Sequence, residues 1–128
     1  MVNAKPGKMP VVKIAVPVAA HDGFSSKLSL HLGKAPFFII IDFEDNNITN
    51  WEIIENPAAD LDRKKGVKAA EFLVSHGVNV LIVHEIGAGP FHMLHDNFVK
   101  MLQMPDAAGN VKEVVDKVFD LNEVTSHT

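Results

Sequence analysis

The feature that most constrains the fold is a set of short, nearly unbroken apolar runs that are rich in valine and isoleucine. Residues 11–18 read VVKIAVPV, residues 35–43 read APFFIIIDF and residues 78–83 read VNVLIV. Runs of this length and composition are typical of strands that are buried on both faces, as in a parallel or mixed sheet. We therefore expect an α/β protein built on a parallel or mixed sheet.

A hairpin is predicted around the second of these runs. Asp45-Asn46-Asn47 follows the run and suits a tight turn with positive φ. Residues 48–55 then alternate in polarity, and the parity that carries Trp51 and Ile53 is expected to face inward. The second and third strands should therefore be antiparallel neighbours.

Apolar residues at helical spacing predict three helices in the second half of the chain. The first helix is expected to begin at Lys64-Lys65-Gly66 and to end before Gly77, which suits the C′ position. The second is expected to cover residues 91–96, with Pro90 at its first position. The third is expected to start in a capping box formed by Asn110 and Glu113 and to continue through Val118 and Phe119. A fifth strand is predicted at residues 98–101. The predicted order is β-β-β-α-β-α-β-α.

This order places several loops at one edge of the sheet. If the first three strands form a meander and the helices form crossovers, the carboxyl ends of strands one, three, four and five meet there. Open α/β sheets bind ligands at that edge, and helix N-termini favour anions. Four segments map to it: the long loop 19–34 with His21 and His31, the helix entry 64–66, the pair His84-Glu85, and the turn 87–90 with Gly87 and Gly89.

The histidines also have purely structural explanations. His31 can hydrogen-bond within its own loop, and His84 can cap the end of a strand. His92 and His95 share a helix face at a spacing that permits chelation. A solvated helix face explains that pair better, because no other metal-binding motif accompanies it.

Length and composition limit the architecture and the partners. The chain has 128 residues, for which we expect a flexible N-terminal arm over residues 1–10, a single domain over residues 11–121 and a polar tail over residues 122–128. The net charge of −4 does not favour nucleic acid, and no apolar run is long enough to span a bilayer, so we expect a cytoplasmic protein without a membrane partner. The chain has no cysteine, which excludes disulfides and any metal site built from its own thiolates.

Several segments resemble the dinitrogenase iron-molybdenum cofactor biosynthesis family. Lys13–Pro17 followed by residues 29–38 (SLHLGKAPFF) is similar to the family's first strand and its S-x-H-F-G-x-A-x-x-F motif. Residues 66–82 resemble the first helix and fourth strand of the family, and residues 85–90 (EIGAGP) are similar to its glycine-rich turn. The likeness extends over nearly the whole chain, as far as Phe119.

The resemblance implies a fold and a function. The fold is an RNase H-like arrangement, in which a five-stranded mixed sheet of order 3-2-1-4-5 is combined with three helices. The function is that of a non-catalytic module that binds or carries the iron-molybdenum cofactor or an iron–sulfur precursor, in company with another cofactor-assembly protein. The expected cofactor-binding residues are His31, Gly33, His84, Gly87 and Gly89, with His31 as the metal ligand.

Two departures from the family pattern keep other functions open. Leu32 stands where phenylalanine is usual, and residues 60–65 lack the histidines, glycines or cysteine that some members carry. A regulatory or partner-binding domain that responds to a small anion is the main alternative. A nuclease-type enzyme is disfavoured, because its metals need clustered carboxylates and Asp42 and Glu85 do not obviously converge.

Overall fold

Five strands and three helices make up the part of the chain that the structure, a computed structural model, describes: residues 11–45, 47–104 and 109–117. The strands are β1 (Val12–Val18), β2 (Phe37–Glu44), β3 (Asn47–Glu55), β4 (Val80–Val83) and β5 (Lys100–Gln103). The helices are α1 (Lys65–Ser75), α2 (Ala88–Asp96) and α3, which is helical over residues 111–117. A short 3-10 helix, Gly23–Ser25, lies in the loop between β1 and β2. None of the helices in these ranges has the length and hydropathy of a membrane-spanning segment.

The strands form one mixed sheet in the order β3-β2-β1-β4-β5. Strand β2 is antiparallel to both β1 and β3, whereas β4 is parallel to both β1 and β5. The predicted α/β fold, with its five-stranded mixed sheet of order 3-2-1-4-5 and three helices, is confirmed. Since β1, β3, β4 and β5 run in the same direction, their carboxyl ends share one edge of the sheet.

The alternation of side chains along the strands divides the core into two clusters, one on each face of the sheet. Ala15 of β1 packs with Leu73 of α1 and Leu94 of α2, and we call this side the α1/α2 face. Val16 of β1 points the other way and packs with Val111, on what we call the α3 face. The central strands are therefore buried on both sides, as their unbroken apolar runs predict.

The turns and caps that the sequence predicts are largely confirmed. Asp45 has a φ of 54° in the turn between β2 and β3, and Gly77 has a φ of 73° just after α1. Asn110 caps α3, because its Oδ1 accepts a hydrogen bond of 3.1 Å from the backbone N–H of Glu113. The predicted continuation of α3 through Val118 and Phe119, the N-terminal arm and the C-terminal tail lie outside the described residues.

The predicted starts of α2 and β5 are wrong. Helix α2 begins at Ala88, so Pro90 is its third residue rather than its first. Proline is tolerated there, because the first N–H groups of a helix have no intrahelical acceptor. Strand β5 begins at Lys100, because Phe98 adopts a φ of 62° as the chain leaves α2 and is 94% exposed.

Strand β3 is an edge strand, and six of its nine residues are exposed. Ile53 packs on the α3 face, as predicted, whereas Ile54 of the opposite parity packs on the α1/α2 face. The inward prediction for Trp51 is correct only in part, since its side chain remains 45% exposed. Its ring makes an edge-to-face contact with Phe24, with 5.4 Å between the ring centroids.

Candidate ligand-binding site

A cavity of about 410 Å³ lies at the edge of the sheet where the carboxyl ends of the parallel strands meet. Three segments that are distant in sequence line it: residues 31–34 of the β1–β2 loop, residues 65–66 at the start of α1, and residues 85–87 with Pro90 at the start of α2. The predicted convergence of these loops on one edge is therefore observed. The volume falls in the range of ordinary small-ligand pockets.

The β1–β2 loop is held against the core by one buried asparagine. The side-chain amide of Asn56 donates hydrogen bonds to the carbonyl oxygens of Leu32, Gly33 and Ala35, at 3.4, 3.2 and 2.8 Å. Its Oδ1 accepts a hydrogen bond of 3.0 Å from the backbone N–H of Ala58. Leu32 is also 3% exposed within the core on the α1/α2 face, so leucine serves as an apolar anchor where the family pattern has phenylalanine.

Close backbone packing joins the three segments to one another. A Cβ on Gly33 would lie 2.6 Å from the backbone nitrogen of Gly66 and 2.6 Å from Cβ of Lys65, which is closer than such atoms can approach. A Cβ on Gly66 would in turn lie 3.0 Å from Cγ of Pro90. The cavity wall is therefore continuous from the loop through α1 to α2, and glycine at position 33 is required by space.

Two helices begin at the cavity wall. The first backbone hydrogen bonds of the helical pattern run from Lys68 N–H to the Lys64 carbonyl in α1 and from Phe91 N–H to the Gly87 carbonyl in α2, both at 3.0 Å. The N–H groups that precede them have no intrahelical acceptor, and they carry the positive end of each helix dipole. Within the described residues, the first turns of α1 and α2 contain no acidic residue, and no side chain caps either helix N-terminus by a hydrogen bond.

The titratable side chains that line the cavity are those of Lys34, Lys65, His31 and Glu85. Lys34 and Lys65 line the wall, and Lys65 is half-buried. Nδ1 of His31 lies 3.7 Å from Oε1 of Glu85, and the two side chains are 54% and 61% exposed. Residues 31 and 85 also form an isolated parallel β-bridge, so the β1–β2 loop pairs with the chain just beyond the end of β4.

Of the predicted site residues, the structure brings His31, Gly33 and Gly87 together and places two elsewhere. His84 follows β4 on the α3 side, where its Nδ1–H donates a hydrogen bond of 2.8 Å to the carbonyl of Met104, and it lines a separate small cavity. Successive strand residues point to opposite faces, and Glu85 accordingly lines the cavity at the sheet edge instead. Gly89 lies between the helices, where a Cβ would be 3.0 Å from Cγ2 of Val67.

Other candidate residues lie away from the cavity. The ring of His21 packs edge-on against Phe37, and His95 stacks on Phe91 on the exposed side of α2. Asp42 pairs with Lys13 at 2.9 Å, near the start of β1 and hence at the opposite edge of the sheet from Glu85. Within the described ranges, no three or more of the residues His, Cys, Asp and Glu form a group that would hold a metal ion.

Sequence reasoning placed Glu85 at this edge without selecting it as a site residue, and it missed Lys34 and Asn56. Lys34 and Glu85 each stand beside a residue that was selected, and the two-residue period of a strand would have favoured Glu85 over His84. Asn56 follows β3 and precedes Pro57, a pair that is typical of the end of a strand. No local signal separates such an asparagine from an ordinary turn residue, because its three acceptors lie 21 to 24 positions earlier in the chain.

Comparisons with known proteins agree with the fold of the chain. The sequence profile of the family described as dinitrogenase iron-molybdenum cofactor matches residues 12–121. An uncharacterized protein of Methanocaldococcus jannaschii is 36% identical over 80 residues, which are 62% of this chain and 64% of that protein, so the chain spans less than two thirds of that relative. A candidate NifB protein from Thermotoga has 33% identity and a TM-score of 0.68 over 85% of this chain and 88% of its own. The apo form of the orange protein from Desulfovibrio gigas has 25% identity and a TM-score of 0.73 over 84% and 87%.

Proposed function

Since this chain belongs to the dinitrogenase iron-molybdenum cofactor family, we propose that it binds and carries an anionic metal–sulfur cofactor of the iron-molybdenum type, or an iron–sulfur precursor of it. The cofactor is cargo, and its binding site is the cavity at the edge of the sheet. One observation carries the proposal. His31, Lys34 and Lys65 meet two helix N-termini in a single cavity of about 410 Å³.

The groups in the cavity suit this cargo chemically. A neutral imidazole donates a nitrogen lone pair to iron, which His31 provides. The ammonium groups of Lys34 and Lys65 and the free N–H groups of the two helices stabilise negative charge on the cargo. Because the chain has no cysteine, every thiolate or sulfide ligand must arrive with the cargo, which favours a preassembled cofactor over assembly on this protein.

The wall of the cavity is organised before any ligand arrives. Asn56 ties three carbonyls of the loop, and the contacts of Gly33 with Gly66 and of Gly66 with Pro90 leave little room for rearrangement. A site of this kind loses little conformational entropy when it binds, so more of the interaction energy appears as affinity. A carrier that receives its cargo from one assembly protein and delivers it to another needs such a ready site.

The test is anaerobic loading followed by metal analysis. Apo-protein is incubated with isolated cofactor, freed from excess by gel filtration, and its absorbance and its iron and molybdenum content per chain are measured. Wild type should retain metal, and His31→Ala should lose most of it. The matched control is His95→Ala, an exposed histidine of α2 outside the cavity, which should load like wild type. Full retention of metal by His31→Ala removes this site assignment.

A second candidate function is a regulatory domain that responds to a small anion, and the same lysines and helix N-termini favour it. These groups recognise negative charge in general and do not require iron. A ligand of the native state raises the melting temperature, so thermal shifts with phosphate and molybdate measure it directly. Protein that responds to these anions but never retains iron from cofactor would replace the carrier proposal with this one.

A further inference from the structure

We infer that His31 and Glu85 together form a two-ligand site for one divalent metal ion of the Fe²⁺ or Zn²⁺ type, in the wall of the cavity. The identity of the anion that this metal meets rests on the proposed function, but the pair itself does not. Both side chains line the same cavity. The inference assigns Glu85 a role as a ligand, where sequence reasoning selected only His31.

The separation of the two side chains fits a shared metal. For zinc, bond lengths of about 2.0–2.2 Å to nitrogen and oxygen and a tetrahedral angle place two ligand atoms about 3.4 Å apart. Nδ1 of His31 and Oε1 of Glu85 are 3.7 Å apart, which is too long for a hydrogen bond between them. Both side chains are more than half exposed, so a small rotation closes the remaining few tenths of an ångström.

The backbone holds the pair in place. Residues 31 and 85 are partners in a parallel β-bridge, so their Cα atoms are fixed as neighbours and their side chains leave the bridge on the same side. The pair His95 and Asp96 has the same Nδ1–Oδ1 separation of 3.7 Å, but these are consecutive residues at the end of α2 and more exposed, at 71% and 77%. It supplies a control with the same chemistry at a position outside the cavity.

The pair also explains why a carboxylate stands in a cavity that otherwise attracts anions. Imidazole and carboxylate together suit borderline divalent metals, and two protein ligands leave the remaining positions for sulfide, oxide or water. Without a metal, Glu85 opposes an anion that enters beside Lys34 and Lys65. With a metal, its charge is compensated, so metal and anion should bind cooperatively, each raising the affinity for the other by the same factor.

The first experiment uses Co²⁺ alone as a probe, because its visible absorption reports coordination. The full chain is titrated with Co²⁺ as wild type, Glu85→Gln, His31→Ala and His95→Ala. Glu85→Gln and His31→Ala should each weaken Co²⁺ binding at least tenfold, and His95→Ala should stay within about twofold of wild type. Unchanged affinity in Glu85→Gln, or an equal loss in His95→Ala, overturns the inference.

The second experiment separates this inference from the proposed function, with molybdate as the anion probe. In wild type, Zn²⁺ should raise the affinity for molybdate severalfold. In Glu85→Gln, molybdate should bind more tightly than in wild type without metal and gain nothing when Zn²⁺ is added. If the affinity for molybdate changes neither with Zn²⁺ nor with Glu85→Gln, the metal site at His31 and Glu85 is overturned and the carrier proposal stays intact. A Co²⁺ site that depends on the pair, in a chain that binds neither molybdate nor cofactor, supports the pair and removes the carrier proposal.

Adding Co²⁺ to cofactor-loaded protein distinguishes the two possible sources of the metal. If an iron of the cargo occupies the pair, loading should abolish the Co²⁺ absorption that depends on Glu85. If a separate divalent ion occupies it, Co²⁺ and cofactor should bind together. Either result requires the pair, whereas a Co²⁺ absorption that persists after loading and is equally strong in wild type and Glu85→Gln contradicts it.

Discussion

At the residue scale, the site depends on two contacts of the β1–β2 loop that the sequence does not show. Gly33 lies within van der Waals distance of the first turn of α1. The side-chain amide of Asn56 donates a hydrogen bond to the carbonyl oxygen of Gly33. The resemblance of the SLHLGKAPFF segment to a family motif was enough to select His31 and Gly33. It could not select Asn56, because that residue acts through contacts made only after the chain has folded.

Gly33→Ala tests the close approach. The new Cβ would overlap backbone atoms of Lys65 and Gly66, which cannot move as a flexible side chain would. We expect a loss of about 1–3 kcal/mol in the free energy of unfolding, measured by urea denaturation, together with a loss of cofactor retention. The control is Gly87→Ala, since a Cβ there would lie 3.9 Å from Cδ of Pro90, an ordinary contact. Equal stability of the two variants would show that the backbone around Gly33 shifts enough to accommodate the added methyl group.

At the element scale, the order and type of strands and helices follow from the sequence, and some boundaries do not. Unbroken apolar runs predict the described strands β1, β2 and β4, because burial on both faces leaves a clear pattern, and alternating polarity after a turn predicts β3. Helix α2 starts at Ala88 rather than Phe91, since alanine and glycine carry no periodic signal and proline is accepted in the first turn. Strand β5 starts later than predicted because Phe98, an apolar residue next to a strand, forms the turn instead.

Gly87→Asp separates helix stability from ligand binding. Gly87 is the N-cap of α2 with an extended backbone, so aspartate fits there, and its carboxylate can accept a hydrogen bond from the helix N-terminus. The free energy of unfolding should rise by a few tenths of a kcal/mol. Affinity for molybdate, measured by calorimetry, should nevertheless fall at least tenfold, because the new charge lies in the cavity.

The neutral isostere supplies the control for this prediction. Gly87→Asn has nearly the same shape and also caps a helix, but it adds no charge. It should bind molybdate much better than Gly87→Asp. If the two variants bind equally weakly, bulk rather than charge explains the loss, and the electrostatic account of the cavity is wrong.

At the scale of the whole molecule, the sheet is the element that both halves of the core share. Residues of β1, β2 and β4 contribute to the cluster on the α1/α2 face and to the cluster on the α3 face. A destabilising substitution on one face of the sheet should therefore lower the stability of the other face as well. The cavity lies beside α1 and α2, whereas Val111 and Val114 of α3 hold the opposite side.

Val114→Ala tests this coupling. Val114 is 2% exposed, and removing two buried methyl groups should cost about 2 kcal/mol. Unfolding should stay cooperative, so the urea midpoints from Trp51 fluorescence and from far-UV circular dichroism should shift by the same amount. Lys112→Ala is the control on the exposed side of α3, and its loss should stay below about 0.5 kcal/mol. Separate midpoints for the two probes would show that the faces unfold independently.

The contacts that run from Gly33 to Gly66 and from Gly66 to Pro90 also have a consequence for biosynthesis. A nascent polypeptide that has emerged from the ribosome only as far as α1 has the loop and its histidine, but it lacks the last side of the enclosure. Under the carrier proposal, unfinished or truncated copies should therefore not hold metal cargo. Only chains whose translation has passed the start of α2 have the complete cavity.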